Sequence, residues 1–273
     1  MPYCDDKQLA LLLDRVEELC IRAEAGRFTH TDFLTPREAK HAAALVARRG
    51  QGHRARLYGG YACAERACLL LFPDYVADAY ADGGGVAAAD VSELLALAGE
   101  DDPVLAVRLE GSGYRSLTHR DYLGSLLSLG LERDVLGDIA MDGGGATVLC
   151  MARMQPFLLS HVERIGGDAV RVRATALGPD FDGGRRFIPV RDTVASARLD
   201  CVVAALACCS REQAQALVRD GRVEVDYEVE QRPDHALDAP TVITVRGEGK
   251  FILRELGGQT RKGRLRLLAD RYD

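Results

Sequence analysis

No stretch of this 273-residue chain approaches the roughly 18 consecutive apolar residues that a membrane-spanning helix needs. The first residues, Met1-Pro2-Tyr3-Cys4-Asp5-Asp6, are acidic and lack the basic-then-apolar order of a secretory leader. A cytoplasmic protein without membrane attachment is expected. The eight cysteines, at 4, 20, 63, 68, 150, 201, 208 and 209, include no C-x-x-C pair. Zinc-ribbon and dithiol redox chemistry therefore lack their usual spacing, and reduced core thiols are the expectation. A phosphate-cradling loop is missing as well. The runs Gly83–Gly85 and Gly143–Gly145 have neither the Lys-Ser/Thr nor the following helix that such loops use. No metal, cofactor or small-molecule substrate is expected.

Positive charge is also scarce. The chain has 35 Lys/Arg against 41 Asp/Glu, a net charge of −6, which argues at first against a nucleic-acid partner. Its distribution reverses that argument. Residues 1–185 carry 20 basic and 27 acidic side chains, whereas residues 186–273 carry 15 and 14. From Arg246 to Leu268 there are seven basic residues and two acidic ones. Charge concentrated in this way suits a protein that meets phosphate with one surface only. A hydrophobic content of 47% and a charged content of 28% are ordinary for a globular chain of two or three domains.

Hydrophobic periodicity predicts a helix over 7–25 and, after the capping signature Thr35-Pro36-Arg37-Glu38, a second to about Arg49. Short strands are expected at 53–59 and 66–72, and residues 86–99 are helical or irregular. From 103 onward the pattern reads strand (Val104–Leu109), helix capped by Thr118, strand (Gly137–Met141), strand (Ala146–Met151), helix (153–164) and strand (Ala169–Ala174). A glycine loop, Asp142–Gly145, joins the middle pair. That β-α-β-β-α-β order is the ferredoxin-like arrangement shared by RNA-recognition domains. Gly178–Gly184 has linker composition.

Beyond it, Leu199, Val202, Val203 and Leu206 share one helical face. Ser210 and Gln213 form a capping-box pattern ahead of a second short helix that ends at Gly221. Two short helices so close must pack as a hairpin, and strands around Val223–Val225 and Val242–Val245 follow. Arg198, Arg211, Arg219 and Arg222 stand at helix ends or on the polar side of this hairpin, where arginine can hold phosphate as a bidentate fork. Arg211 falls in a helical first turn that already favours an anion. Asp200, two residues after Arg198, either orients an arginine or caps its helix. In the tail, Lys250, Arg261, Lys262, Arg264 and Arg266 predict a basic strand or arm against RNA. A second basic cluster, Arg48, Arg49, His53, Arg54 and Arg56, reads equally as an RNA contact or a solvated loop. His119 and Asp121 invite a catalytic reading, but Thr118 and Asp121 fit a helix cap better.

Arg198-Leu199-Asp200, Ser210-Arg211 and Leu217-Val218-Arg219-Asp220-Gly221-Arg222-Val223-Glu224-Val225 together resemble the S4 signature. Two positions depart from it: Asp226 stands where a neutral amide is common, and Ala239-Pro240 replaces the usual Gly-Asp. The departure at Asp226 puts RNA contact at that turn in doubt. The resemblance spans the chain. Thr31–Glu38, Gly59-Gly60-Tyr61 with Ala64-Glu65-Arg66, Leu117–Gly124, Gly137-Asp138-Ile139 and Gly257–Arg264 are similar to the bacterial YlmH family. The resemblance implies an α+β protein with a small N-terminal α/β domain (1–75) and a ferredoxin-like, RRM-like domain (76–177). A linker (178–189) and an S4 RNA-binding domain with a basic C-terminal arm (190–273) complete it. It further implies a non-catalytic factor of the large ribosomal subunit, touching rRNA and tRNA in rescue of obstructed subunits that carry peptidyl-tRNA, and monomeric off the ribosome. The expected RNA-binding residues are Arg198, Asp200, Ser210, Arg211, Gln213, Arg219, Arg222, Lys250, Arg261, Lys262 and Arg264. The alternative is an RNA-modifying enzyme of the pseudouridine-synthase kind that docks substrate through S4. Here, however, Asp200 belongs to the S4 helix and cannot serve as that enzyme's catalytic acid. A tyrosyl-tRNA synthetase relative is disfavoured by the missing nucleotide-binding motifs.

Overall fold

The computed structural model describes residues 2–83, 85–261 and 263–272, with side chains described from residue 6 onward except at Gly83. Lys262 and Gly84, both singled out above, lie outside the described residues. Residues 1–184 form one compact unit and residues 185–273 another.

The first unit begins with α1 (Pro2–Glu24), β1 (Thr29–His30) and α2 (Pro36–Arg48). Helix α2 starts where the sequence predicts. The Thr35 side chain accepts from the Glu38 N–H, and the Glu38 carboxylate accepts from the Thr35 N–H at 2.7 Å. A cap of this kind contributes about 1 kcal/mol. Strands β2 (Ala55–Tyr58) and β3 (Cys68–Leu71) complete a three-stranded sheet in the order β1-β3-β2. Every side chain of β3 is buried, because both faces of this central strand are covered. Short helices α3 (Asp74–Ala79) and α4 (Val91–Ala98) follow; the latter settles the ambiguous 86–99 stretch, with Asp90 as its N-cap.

Then come β4 (Val104–Gly111), α5 (His119–Ser128), β5 (Leu136–Asp142), β6 (Gly145–Met151), α6 (Gln155–His161), β7 (Arg164–Ile165) and β8 (Asp168–Thr175). Their antiparallel order, β5-β6-β4-β8-β7, is the ferredoxin-like one with a two-residue strand added at the edge. The β5–β6 turn needs glycine. At Gly145 φ is +154°, and an added Cβ would lie 2.1 Å from the Leu109 carbonyl oxygen. Val107, Leu109, Val148 and Ile139 bury one face of this sheet against Tyr122, Leu126 and Leu158 of α5 and α6. On the other face Val104, Ala106, Leu149 and Met151 share a core with Phe33, Leu70, Phe72, Val91 and Leu94. The sheet and the first hundred residues are thus sealed through one apolar layer.

The second unit comprises β9 (Phe187–Val194), α7 (Leu199–Leu206), α8 (Arg211–Arg219), β10 (Val223–Val225), β11 (Glu228–Val229), β12 (Thr241–Val245), β13 (Gly249–Gln259) and β14 (Leu265–Tyr272). The sheet order is β11-β10-β12-β13-β14-β9. Strand β9 corrects the expected linker: residues 187–189 already pair with Asp270 to Tyr272 of β14. The expected arm is likewise part of the sheet, since β13 and β14 form its longest hairpin. Both helices lie on one face. Leu199, Val202, Val203 and Leu206 of α7, with Ala214 and Val218 of α8, bury against Ile243, Val245, Phe251, Leu253, Leu267 and Ala269.

Candidate nucleic-acid interface

The hairpin of α7 and α8 is built around a buried acid. Asp200, in the first turn of α7, is 0% exposed. Its Oδ1 accepts from Arg198 Nε at 3.2 Å, and its Oδ2 accepts from Arg211 Nε at 3.0 Å and from Gln215 Nε2 at 2.8 Å. Burial alone would raise the Asp200 pKa. The hydrogen bonds from Gln215, Arg198 and Arg211 overcome it and hold the carboxyl well below the usual carboxylate range. The two arginines remain 41% and 53% exposed. Each guanidinium is therefore gripped along one edge and open along the other. A fork oriented in this way loses less conformational freedom on meeting a phosphate than a free surface arginine does. Asp200, expected among the RNA-binding residues, lies instead wholly beneath the surface, where it holds Arg198 and Arg211 in position.

Other expected contacts separate in the same way. Ser210 and Gln213 are engaged with each other: Ser210 N donates to Gln213 Oε1 at 2.9 Å, and Gln213 N donates to Ser210 Oγ at 3.2 Å. They start α8 and present Arg211 at its first position. Arg219 is exposed in the last turn of α8. Gly221, at φ +65°, lets Arg222 N donate back to the Leu217 carbonyl, and Arg222 Nη2 reaches the Arg246 carbonyl at 2.9 Å. Arg261 is exposed in the β13–β14 turn. Arg264 Nε donates to Thr193 Oγ1 at 2.9 Å.

Lys250 departs from the expectation. It lies on the sheet face away from the helices, with its ammonium 4.9 Å from the ring centres of both Tyr227 and Tyr272. Burial there pushes its pKa down to about 8. Strand alternation sends Lys250 and Arg266 of the expected basic arm to the sheet face away from the helical hairpin. Asp226 is explained. At φ +48° it occupies the turn between β10 and β11, and its Oδ1 accepts from Val242 N at 2.9 Å. An acid can fill this position because the carboxylate has a backbone donor to receive. Ala239-Pro240 sits in the turn before β12.

In the first unit, the motifs Gly59–Tyr61, Ala64–Arg66 and Gly137–Ile139 converge on Asp138. Tyr61 Oη and Glu65 N donate to its Oδ2 at 2.7 Å, and Arg66 N donates to Oδ1 at 3.1 Å. Arg66 also donates to the carbonyls of Leu136 and Phe33. This hub ties strand β5 to the loop before β3; sequence separation of more than seventy residues hid it. Thr118 and Asp121 form a reciprocal capping box, which accounts for both without catalysis. The N-terminal basic cluster is divided: Arg48, Arg49 and His53 are exposed, whereas Arg54 and Arg56 turn inward. Arg54 is buried against Asp74, Arg49 pairs with Glu24 at 3.6 Å, and Arg56 donates to the Val86 carbonyl at 3.0 Å. The sheet face that RNA-recognition domains use for stacking carries Arg108 in a bidentate pair with Asp142, at 2.6 and 2.7 Å, and Arg173 paired with Glu110. It offers paired charges where bases would stack. Among the described residues, no cluster of His, Cys, Asp or Glu could hold a metal ion, and no helix is long and apolar enough to cross a membrane.

Comparisons with known proteins agree with this division. Residues 197–242 match the S4 domain, and residues 110–178 match the family described as "Putative RNA-binding domain in YlmH". The chain is 30% identical over 249 residues to the ribosome-associated protein quality control protein P2 of Bacillus subtilis, covering 91% of this chain and 89% of that one. The solved structure of cell division protein ylmH from Streptococcus pneumoniae aligns with 63% of this chain and 94% of its own, at 21% identity and a TM-score of 0.47. With a buried Asp200 at the centre of its S4 hairpin and a relative matched over nearly its whole length, the chain belongs to the YlmH family of S4-domain RNA-binding proteins.

Proposed function

We propose that this protein is a non-catalytic factor that binds the large ribosomal subunit, touching rRNA and tRNA in the rescue of obstructed subunits that carry peptidyl-tRNA. The observation that carries the RNA-binding part is the Arg198–Asp200–Arg211 arrangement, a pair of half-exposed guanidiniums held in place by one buried carboxylate. The ribosomal part is supported by the likeness to the ribosome-associated quality control protein of Bacillus subtilis. Arg219, Arg222, Arg261 and Arg264 extend the proposed contact as further cationic groups. Off the ribosome the protein is proposed to be a monomer, which sedimentation equilibrium checks.

The test is Arg211→Ala, with Arg198→Ala beside it. Each should weaken binding to structured rRNA on the order of tenfold, the value of one good charge-assisted contact, while circular dichroism stays unchanged. Unchanged affinity in both would refute the hairpin as the RNA contact. Binding should also weaken steeply as salt rises, because neutralising each phosphate releases counterions. Cosedimentation of the full chain with large subunits, and its loss in the double variant, tests the ribosomal assignment.

A further inference from the structure

The face of the S4 sheet opposite the helices has features that the hairpin does not explain. Register places Thr244 opposite Lys250 and Phe187 opposite Tyr272. Phe187 and Tyr272 meet edge to face with ring centres 5.1 Å apart. Lys250 is sandwiched between Tyr272 and Tyr227, and the Arg254 guanidinium stands 5.9 Å over the Phe187 ring. Three aromatic rings from three separate segments are thus gathered with two cations. Tyr227 holds φ +69° to take part. A bulky residue rarely adopts that conformation without compensation, and here burial and Lys250 supply it. Phe187 nevertheless keeps 39% of its surface exposed.

Along the same face, alternation on β9 and β14 carries the pattern away from the aromatic rings. Asp270 pairs with Arg254 at 2.8 Å. Arg191 stands across from Leu268, and Arg266 across from Thr193. Arg191 and Arg266 are exposed. From Tyr272 to Arg266 is about 20 Å at the rise of a strand. Glu224 and Glu255 are the other acids on this face, so its net charge is small. Stacking rings followed by a thin line of arginines is the composition that holds unpaired nucleotides, where bases lie on aromatic faces and the backbone follows cations.

We infer that this outer sheet face is a second RNA site, one that takes unpaired bases by stacking on Phe187 and Tyr272. The inference rests on the RNA-binding reading above but uses the opposite face of the domain and a different state of RNA. Its modest charge makes binding there less salt-dependent than at the hairpin.

The chain contains no tryptophan, so Phe187→Trp creates a single reporter at the site; Tyr272→Trp serves if that variant does not fold. The full-length variant is titrated with a twelve-residue oligouridylate and with a fully paired RNA hairpin. Saturable quenching by the oligouridylate and little by the hairpin is expected. Phe187→Leu, which keeps the apolar bulk but removes the ring, should weaken oligouridylate binding on the order of tenfold and leave the hairpin unaffected. Arg211→Ala should do the reverse. An oligouridylate that binds by anisotropy without quenching overturns the inference, as does equal affinity for Phe187→Leu and the parent. Quenching that grows with protein concentration in the absence of RNA would mark this face as a contact between copies, and overturns it too. If only the hairpin responds to Arg211→Ala and nothing responds to Phe187→Leu, the second site fails while the first stands.

Discussion

Arg54, Arg66 and Arg133 in residues 1–184, and Arg198 and Arg211 in residues 185–273, carry the same guanidinium into different surroundings. The first three turn inward. Arg54 is buried on Asp74, and Arg66 and Arg133 converge on the carbonyls of Leu136 and its neighbours. Burial, then the neighbouring Arg66, pushes the Arg133 pKa down to about 10, still far above neutrality. Arg66 and Arg133 hold loops together by donating to backbone oxygens, and Arg54 by donating to the Asp74 carboxylate. In the S4 unit the geometry is inverted: the acid is buried and the arginines stand out. Counting cations thus says little about which surface meets RNA. The position of the acid says more, since a carboxylate beneath the surface aims arginines outward, whereas buried carbonyls draw them in.

Disrupting the inward arrangement should have the largest effect. Asp138→Ala leaves three donors without an acceptor, at about 1 kcal/mol each. A loss of about 3 kcal/mol in urea unfolding of residues 1–184 is expected, with RNA affinity at the hairpin unchanged. A matching loss of RNA affinity would erase the contrast between the two regions.

The next effect is on the outward arrangement. Asp200→Ala should cost about 2 kcal/mol in stability, because Gln215 and both guanidiniums lose their common acceptor, and should lower RNA affinity as well. Combining it with Arg211→Ala should add little further loss of affinity, since both changes disable the same fork. Full additivity would show that Asp200 does not act through Arg211. The pH dependence follows in sign. The folded pKa of Asp200 lies below its unfolded value, so its stabilisation is fully present above the ordinary carboxylate pKa of about 4. It is lost as pH falls from there through the folded value. Asp200→Asn should flatten that acid limb.

Lys250 predicts a smaller effect of the same sign in a more alkaline window. Its folded pKa, about 8, lies below the ordinary lysine value of about 10.4. Between those values the unfolded chain holds the extra proton, so stability should rise as pH increases from 8 toward 9.5. Lys250→Met should remove that rise in denaturant titrations. The smallest effect belongs to Asp226→Asn. The amide oxygen still receives Val242 N, and a change within about 0.5 kcal/mol is expected; a larger loss would mean that the negative charge itself matters.

Much of this was legible in the sequence because it is local. The pairs Thr35–Glu38, Thr118–Asp121 and Ser210–Gln213 lie three residues apart, and all three cap helices as their spacing requires. The ferredoxin-like strand order followed from hydrophobic periods and turn residues. What escaped was tertiary. The Asp138 hub joins residues 61, 65, 66 and 138, none of which signals the others. Strand β9 was hidden by Pro189 and by the adjacent charged residues Arg191 and Asp192, features typical of edge strands. The fate of Lys250 depended on which face of β13 it took and on Tyr227, brought to it by a turn. The arginines at 48–56 looked alike in sequence, and only their partners distinguish them.

The edge position of β9 also sets an order of events during synthesis. This strand is the first of its sheet to be made, yet β14, the neighbour it pairs with, is made last. Phe187 must wait for Tyr272, 85 residues later. The helical hairpin and the strands between can assemble from nearby segments, but closure of the sheet joins its most distant parts and is the slow, non-local step. A nascent chain halted before residue 265 would hold an unpaired β9 and would lack Leu267 and Ala269, against which α7 and α8 pack. The arrangement of Arg198, Asp200 and Arg211 is therefore secured only when the last strand has been made.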